Sequence, residues 1–199
     1  MTRVRIPKQK RSIERRQKVK QAALELFAHK GVNGTSSNEI ARQAGVSIGT
    51  FYSYFENKRS LFLEILKDHL KTFVTDIYAL EVDETVPIRE NVREHIRKAF
   101  TVFDRHPQFH REALVLKFSD SGVKRLFDEV EHEQLVILSR LIRPYCRNRS
   151  PEQLMEVSKV IHAAVENAAH SVKFLDSPLD RGRLVDELTE MITHYVSSL

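Results

Sequence analysis

Apolar residues recur three and four positions apart along most of this chain, which is the spacing of one face of an α-helix. The first such stripe runs from Val19 to Phe27. Ser12 stands where an N-cap residue is expected, and Gly31 stands where a helix C-terminus favours glycine. The pattern therefore predicts a first helix that begins at Ser12 and ends before Gly31.

Two short helices follow at close spacing. Ser36 and Glu39 have the spacing of a capping box, which predicts a helix start at Ser36. Gly45 ends that helix, and Ser47 is placed to cap the next one. Two short helices joined by a tight turn that contains glycine are typical of a helix-turn-helix.

Long helical stripes fill the rest of the chain, beginning with a fourth helix from Lys58. A loop is predicted over residues 119–122, where Ser, Asp and Gly cluster. Later prolines stand at predicted helix boundaries: Pro87, Pro107, Pro144, Pro151 and Pro178. The sequence predicts an all-α fold of about nine helices.

Composition supports this fold class. The 199 residues include only 6 Gly and 6 Pro, where a β-sandwich or barrel needs many turn residues. Four glycines fall within residues 31–49, so this segment has unusual backbone demands. The single Cys146, the lack of a long apolar run and the lack of an apolar signal core predict a cytoplasmic protein.

Charge divides the chain into two parts. Residues 1–60 hold 13 Lys and Arg against 4 Asp and Glu, a net of +9, whereas the remainder holds 19 against 23, a net of −4. This split predicts a polyanion-binding module joined to a different kind of domain. Residues 1–11 are interpreted as a flexible basic arm, with a solvated tail as the alternative.

The segment from Thr35 to Leu61 reads TSSNEIARQAGVSIGTFYSYFENKRSL. It resembles the DNA-binding signature of the TetR family of bacterial transcriptional regulators. The matching residues are Thr35, Ile40, Ala41, Ala44, Gly45, Val46, Ser47, Gly49, Thr50, Tyr52, Tyr54, Phe55, Asn57, Lys58 and Leu61. The resemblance implies a helix-turn-helix domain over residues 12–57, followed by a helical effector-binding and dimerisation domain over residues 58–199.

The resemblance and the chemistry of these residues together predict the DNA contacts. Gly49 lets the backbone approach DNA, Thr50 offers a hydroxyl and a methyl, and Lys58 favours a phosphate at a helix start. Tyr54 contacts DNA or packs in the core, and both alternatives stay open. The predicted DNA-binding residues are Arg3, Arg5, Ser37, Arg42, Ser47, Gly49, Thr50, Tyr52, Tyr54 and Lys58. Ile48 offers no hydrogen bond, which indicates sparse hydrogen-bonded readout of bases.

One such module buries little surface, so a homodimer on a palindromic operator is expected. The last two helices are the predicted interface, because small residues permit close approach and larger apolar residues supply area. The candidates are Ala164, Ala168, Val172, Leu188, Met191 and Tyr195. An internal core pair is the alternative interpretation.

The resemblance also implies a pocket for a small, largely apolar effector inside the C-terminal bundle. The candidates to line it are Phe73, Phe100, Phe103, Phe109, His110, Phe118, Phe127 and Gln134. The alternative for each phenylalanine is an ordinary core position.

No cofactor, metal site or enzymatic activity is predicted. Pro107 follows His106 directly, which argues against a metal-binding pair with His110, and no nucleophile motif is present. The sequence predicts a ligand-responsive repressor located in the bacterial cytoplasm on the nucleoid. Alternatives are an activator, a regulator without an effector, and a non-specific DNA-coating protein.

Overall fold

A computed structural model of the chain describes residues 9–78, 85–146, 148–175 and 178–199. These ranges hold nine α-helices and no strand, so the all-α prediction is confirmed. The helices are α1 (Lys10–Lys30), α2 (Ser37–Gln43), α3 (Ile48–Tyr54), α4 (Lys58–Tyr78), α5 (Ile88–Val102), α6 (Pro107–Lys117), α7 (Ser121–Ile142), α8 (Pro151–Phe174) and α9 (Arg181–Ser197).

Proline positions predicted most later boundaries correctly. Pro107 and Pro151 are the first residues of α6 and α8, and α5 begins directly after Pro87. Proline suits a helix start because its missing N–H has no partner there in any case.

Two predicted boundaries were wrong. Helix α1 begins at Lys10 with Gln9 as N-cap, two residues before Ser12. The loop predicted over 119–122 is shorter, because α7 begins at Ser121. The Asp120 carboxylate accepts hydrogen bonds from the backbone N–H groups of Gly122 (2.8 Å) and Val123 (3.1 Å), so it caps α7.

The described residues form two compact units. The first comprises the chain up to His69 together with His106–Leu126, and the second comprises Leu70–Arg105 with Phe127–Leu199. This division differs from the domain boundary predicted at 57/58. Helix α6 and the beginning of α4 belong with the first three helices, because α6 packs along α1.

The core of the first unit is aromatic. The Phe62 ring makes edge contacts with Phe27 and Phe109, each with 5.5 Å between ring centroids. The Glu112 carboxylate of α6 accepts a hydrogen bond from the Val32 N–H (2.8 Å) in the turn after α1. The packing of α6 and this hydrogen bond position the beginning of α2.

The second unit is built on contacts of α5 with α9 and of both with α8. Phe103 makes edge contacts with Phe73 and Phe174, at centroid distances of 5.1 and 6.0 Å. Asp104 forms ion pairs with Lys173 (2.5 Å) and Arg181 (3.2 Å) at the surface. No helix in the described ranges has the length and apolar character needed to cross a membrane.

Candidate nucleic-acid interface

Helix α2 begins with the predicted capping box. The Ser36 hydroxyl accepts from the Glu39 N–H (3.2 Å), and the Glu39 carboxylate accepts from the Ser36 N–H (2.9 Å). Hydrogen bonds from Lys30 and Ser36 lower the pKa of Glu39 to about 2. Glu39 is therefore ionised at neutral pH and supports the helix start.

The turn between α2 and α3 is a Schellman motif. The Val46 N–H donates to the Ala41 carbonyl (3.0 Å) and the Gly45 N–H donates to the Arg42 carbonyl (3.1 Å). Gly45 has φ +65°, a backbone conformation that residues with a Cβ rarely adopt. Glycine at this position sets the angle at which α3 leaves the turn.

Ser47 caps α3, as predicted. Its hydroxyl accepts from the Thr50 N–H (3.1 Å) and is also hydrogen-bonded to the Thr50 hydroxyl (2.9 Å). Thr50 is half-buried and Ser47 is exposed. The two hydroxyls are thus held at the start of the helix predicted to read DNA.

Helix α3 has one buried face and one exposed face. Phe51 is fully buried and Tyr54 is 6% exposed, whereas Ile48 is 38% exposed and Tyr52 45% exposed. These positions follow helical spacing, so Ile48 and Tyr52 lie one turn apart on the outer surface. The outer face of α3 is therefore available to a partner.

Gly49 lies beside this outer face, and nothing inside the protein requires glycine there. Its φ is not positive, and a Cβ built on it would meet no atom closer than the Ser47 Oγ at 3.9 Å. By contrast, a Cβ on Gly34 would lie 2.4 Å from the Lys30 carbonyl oxygen. Packing explains Gly34 and does not explain Gly49.

The structure decides the two alternatives for Tyr54 in favour of the core. Its side chain is buried, and its hydroxyl is hydrogen-bonded to the Ser12 hydroxyl of α1 (2.9 Å). Tyr54 is therefore corrected from a DNA contact to a core residue that connects α3 to the start of α1. Phe51 and Phe55 are buried in the same core.

The Lys58 ammonium also has a different role from the predicted one. It donates to the carbonyls of Val32 (2.7 Å), Asn33 (3.4 Å) and Thr35 (2.7 Å), in the turn between α1 and α2. A Lys ammonium has three N–H donors, so these three contacts use them all. The prediction of a phosphate contact through this ammonium is corrected to a structural role in positioning α2.

The other predicted contacts lie on α2 and beyond the described residues. Arg42 is exposed near the end of α2, and Ser37 is half-buried at its first residue. Arg3 and Arg5 lie outside the described residues. Exposed cations also occur along the outer side of α1, at Lys10, Arg11, Arg15 and Lys18.

Arg16 is an exception among the cations of α1. Its guanidinium lies 4.6 Å from the centroid of the Phe55 ring and pairs with Glu64 (2.5 Å). These contacts connect α1 to the C-terminus of α3 and to α4 within the first unit, so Arg16 stabilises the fold.

Comparison with known proteins connects this geometry to a family. Residues 21–65 match the family described as bacterial regulatory proteins, tetR family. Residues 87–195, more than half of the chain, match the family described as tetracyclin repressor-like, C-terminal domain. The chain belongs to the TetR family. The family consists of helix-turn-helix transcriptional regulators, and the curated relatives that the chain matches are named as such.

Curated relatives of this TetR-family chain match part of its length. An HTH-type transcriptional regulator of Staphylococcus aureus is 35% identical over 74 residues, which are 37% of this chain and 40% of that protein. The regulator YuxN of Bacillus subtilis is 30% identical over 110 residues, 55% of this chain and 36% of that protein. The matches thus span well under two thirds of the length of these relatives.

Solved structures share the fold over nearly the whole chain. A protein of Syntrophomonas wolfei assigned to the TetR family has a TM-score of 0.71 at 22% identity, covering 92% of this chain and 95% of that one. The fatty acid degradation regulator FadR of Bacillus halodurans has a TM-score of 0.69 at 18% identity, covering 94% and 97%. At these identities the likeness concerns the fold alone.

The predicted effector residues of this TetR-family chain do not all lie in the same unit. Phe109 and His110 are buried in the first unit, where Phe109 packs on Phe62 and His69. Phe118 is 90% exposed after the end of α6, so its prediction as a pocket residue was wrong. The remaining candidates are buried in the second unit: Phe73, Phe100, Phe103, Phe127 and Gln134.

The predicted dimer residues lie on α8 and α9 with different exposures. Leu188 is 8% exposed because it shares the inward face of α9 with Val185 and Ile192, so it is corrected to a core residue. Met191 is 50% exposed. The other candidates are half-buried: Ala164, Ala168, Val172 and Tyr195.

Two contacts within the first unit gave no sequence signal. Glu112 and Asp120 act on segments far away in the chain, Glu112 on the turn at Val32 and Asp120 on Arg59 through two hydrogen bonds of 2.9 and 2.7 Å. The hydrogen bonds to Arg59 lower the pKa of Asp120 to about 2. In the described residues, no group of three or more His, Cys, Asp or Glu is arranged to hold a metal ion.

Proposed function

We propose that this protein is a repressor that binds a palindromic DNA operator as a homodimer through the outer face of α3. The observation that carries the proposal is Gly49. A glycine within a helix costs up to about 1 kcal/mol relative to alanine, yet the protein has room for a methyl group at this position. The absence of a Cβ is useful only if a partner backbone or base edge approaches α3 closely.

Electrostatics identifies DNA as that partner. The first 60 residues carry 13 Lys and Arg against 4 Asp and Glu, and exposed cations lie on α1 and on α2 at Arg42. Ser37, Ser47, Thr50 and Tyr52 supply hydroxyls near the same surface. We infer that these groups contact phosphates and base edges, with Arg3 and Arg5 of the N-terminal arm extending the contact.

The Gly49→Ala variant tests this function. Because a Cβ fits inside the protein, the variant should unfold at a higher urea concentration, with a free energy of unfolding raised by up to about 1 kcal/mol. Its affinity for the operator should fall at least tenfold, since the new methyl group blocks close approach of DNA. Urea denaturation and a gel-shift titration measure the two effects.

Gly182→Ala is the matched control. Gly182 is also the second residue of its helix, α9, and the nearest atom to an added Cβ is a carboxylate oxygen of Asp180 at 3.2 Å. Operator affinity should be unchanged in this variant. Unchanged affinity in Gly49→Ala as well would contradict the proposed interface.

Salt dependence distinguishes phosphate contacts from other modes of binding. A dimer with about six to ten phosphate contacts should lose roughly 10³- to 10⁵-fold in affinity between 50 and 200 mM salt. Competition with random duplex DNA in the same assay separates an operator-specific regulator from a DNA-coating protein. The regulator should keep its operator in the presence of excess random DNA.

We further propose that the second unit binds a small, largely apolar effector. Its interior carries Phe73 and Phe103 in edge contact, and it buries the polar amide of Gln134. An apolar site with a few polar groups is the usual composition of a small-molecule pocket. Release from the operator would follow if the effector binds the DNA-free state more tightly.

Effector coupling is reciprocal, which makes it testable. Saturating operator DNA should weaken effector binding by the same factor by which the effector weakens operator binding. Calorimetric titration with and without the operator measures this factor. Equal effector affinity in both titrations would leave the protein a regulator without this mode of induction.

A further inference from the structure

The outer face of α3 is apolar. Its exposed side chains Ile48 and Tyr52 lie one turn apart, 38% and 45% exposed, with Gly49 beside them. The helix sequence, IGTFYSY, contains no Arg, Lys, Asn or Gln. Those are the side chains that form paired hydrogen bonds with guanine or adenine in the major groove.

The small hydroxyls of this segment are already engaged. Ser47 and Thr50 are hydrogen-bonded to each other (2.9 Å), and Ser53 donates to the Thr50 carbonyl (2.7 Å). The contact between Ser47 and Thr50 leaves each hydroxyl only part of its hydrogen-bonding capacity for a phosphate or a base edge. The larger exposed side chains of this face, Ile48 and Tyr52, present mainly hydrocarbon.

We propose that this face reads thymine, with Ile48 and the Tyr52 ring packing against thymine C5-methyl groups in the major groove. The inference rests on the operator binding proposed above and names the base feature that the operator supplies. The thymine methyl is the apolar group among the base-edge features of the major groove, and burying it against hydrocarbon is favourable.

Charge identifies duplex DNA as the occupant of this apolar face. The surrounding segment, residues 1–60, has a net charge of +9, from 13 Lys and Arg against 4 Asp and Glu. Arg42 is exposed on α2, the helix that precedes α3. An apolar strip on a cationic domain fits a ligand with an anionic backbone and methyl groups in its groove.

The experiment begins with the full-length protein and the duplex that it selects from a random DNA library. Each thymine of one half-site is then replaced by deoxyuridine, which removes only the C5-methyl group. Loss of one buried methyl should weaken binding about fourfold at each contacted position. Positions that the face does not touch should show no change.

Protein variants assign the effect to this face. Ile48→Ala should bind the thymine and deoxyuridine duplexes with affinities that differ less than twofold at the position that Ile48 contacts. Val115→Ala, which removes methyl groups from an exposed aliphatic side chain on α6, should keep the full fourfold difference. Because each variant is compared with itself on two duplexes, a partial loss of folded protein affects both affinities equally and leaves their ratio unchanged.

Three outcomes would overturn the inference while operator binding stands. The first is that the protein binds thymine and deoxyuridine duplexes with equal affinity at every position. The second is that the dependence on the methyl group persists in both Ile48→Ala and Tyr52→Ala. The third is that Ile48→Ala loses self-association while its DNA affinity is unchanged. The last outcome would assign the face to a second copy of the chain. If no duplex is selected over random DNA, the proposed function itself fails.

Discussion

At the scale of single residues, Tyr52 and Tyr54 show how two similar side chains in one short helix take opposite roles. They are two positions apart, about 200° around an α-helix, so one faces out when the other faces in. Tyr54 shares the buried face with Phe51, three residues away, and its hydroxyl is hydrogen-bonded to Ser12. Helical periodicity therefore held the signal that Tyr54 belongs to the core, but its partner was not predictable from spacing.

Removing the Tyr54 hydroxyl tests that contact. Tyr54→Phe should lower the free energy of unfolding by about 1 kcal/mol, because the part-buried hydrogen bond to Ser12 is lost. Tyr52→Phe should change it by less than about 0.5 kcal/mol, since Tyr52 is exposed. Urea denaturation of both variants measures the difference, and equal losses would contradict a structural role specific to Tyr54.

His69 gives the first unit a dependence on pH. Burial, together with the nearby His106, lowers the pKa of His69 to about 4, so the folded protein keeps it neutral. The unfolded chain binds a proton near pH 6.5, and therefore the free energy of unfolding falls as pH decreases from 6.5 to 4. The contribution is about 3 kcal/mol at most, complete above pH 6.5 and lost by pH 4.

His69→Gln should flatten this part of the stability profile. Urea midpoints measured from pH 7 to pH 4.5 should fall less steeply in the variant than in the unmodified protein. His29→Gln, at an exposed position on α1, is the control and should leave the slope unchanged. Glu39 and Asp120 have lowered pKa values near 2 and lose their contributions mainly below pH 4.5, outside the pH range of this measurement.

At the scale of elements, helix caps determine where the two helices of the helix-turn-helix begin. Ser36 and Ser47 cap α2 and α3, and Gly45 joins the two helices through the Schellman turn. Each of these contacts spans five residues or fewer. Local sequence therefore determines where both helices begin and how α3 is presented.

Substitutions at Ser47 separate capping from DNA contact. Ser47→Ala should cost about 1 kcal/mol of stability, because the Thr50 N–H loses its acceptor. Ser47→Asp should retain stability, since Asp is a good N-cap, but it should weaken operator binding by placing a carboxylate near phosphates. Urea denaturation and gel-shift titration report the two properties independently.

The matched control for capping is Ser150→Ala at the start of α8, where Ser150 accepts from the Gln153 N–H (3.3 Å). This variant should lose a similar amount of stability without a change in affinity for the operator at a temperature where it is folded. If Ser47→Asp bound the operator as tightly as the unmodified protein, Ser47 would not lie at the DNA surface.

At the scale of the whole molecule, exposed apolar side chains on the second unit support the proposed dimer interface. Val160 on α8 is 56% exposed and Met191 on α9 is 50% exposed, on the two helices predicted to form the dimer interface. Dimerisation would bury both side chains and pair two reading helices on one operator.

Met191→Asp tests this arrangement. A carboxylate at the interface should dissociate the dimer at micromolar concentration, so the mass measured by sedimentation should fall to the 23.1 kDa of one chain. Operator affinity should fall as well, because one module contacts only a half-site. Val115→Asp, on the exposed side of α6, should leave the mass unchanged, and an unchanged mass in Met191→Asp would exclude Met191 from the interface.

The sequence by itself determined the helical fold class, most helix starts and the helix-turn-helix, because prolines, caps and positive-φ glycines act over a few residues. The family resemblance came from the same local segment. The sequence did not predict the hydrogen bonds from Lys58 to the carbonyls of Val32 and Thr35, or the one from the Val32 N–H to Glu112. These contacts join residues 23 to 80 positions apart. Only the tertiary structure decides which elements meet. For that reason it also decided that the Tyr54 hydroxyl is hydrogen-bonded to Ser12 and that Phe118 faces solvent.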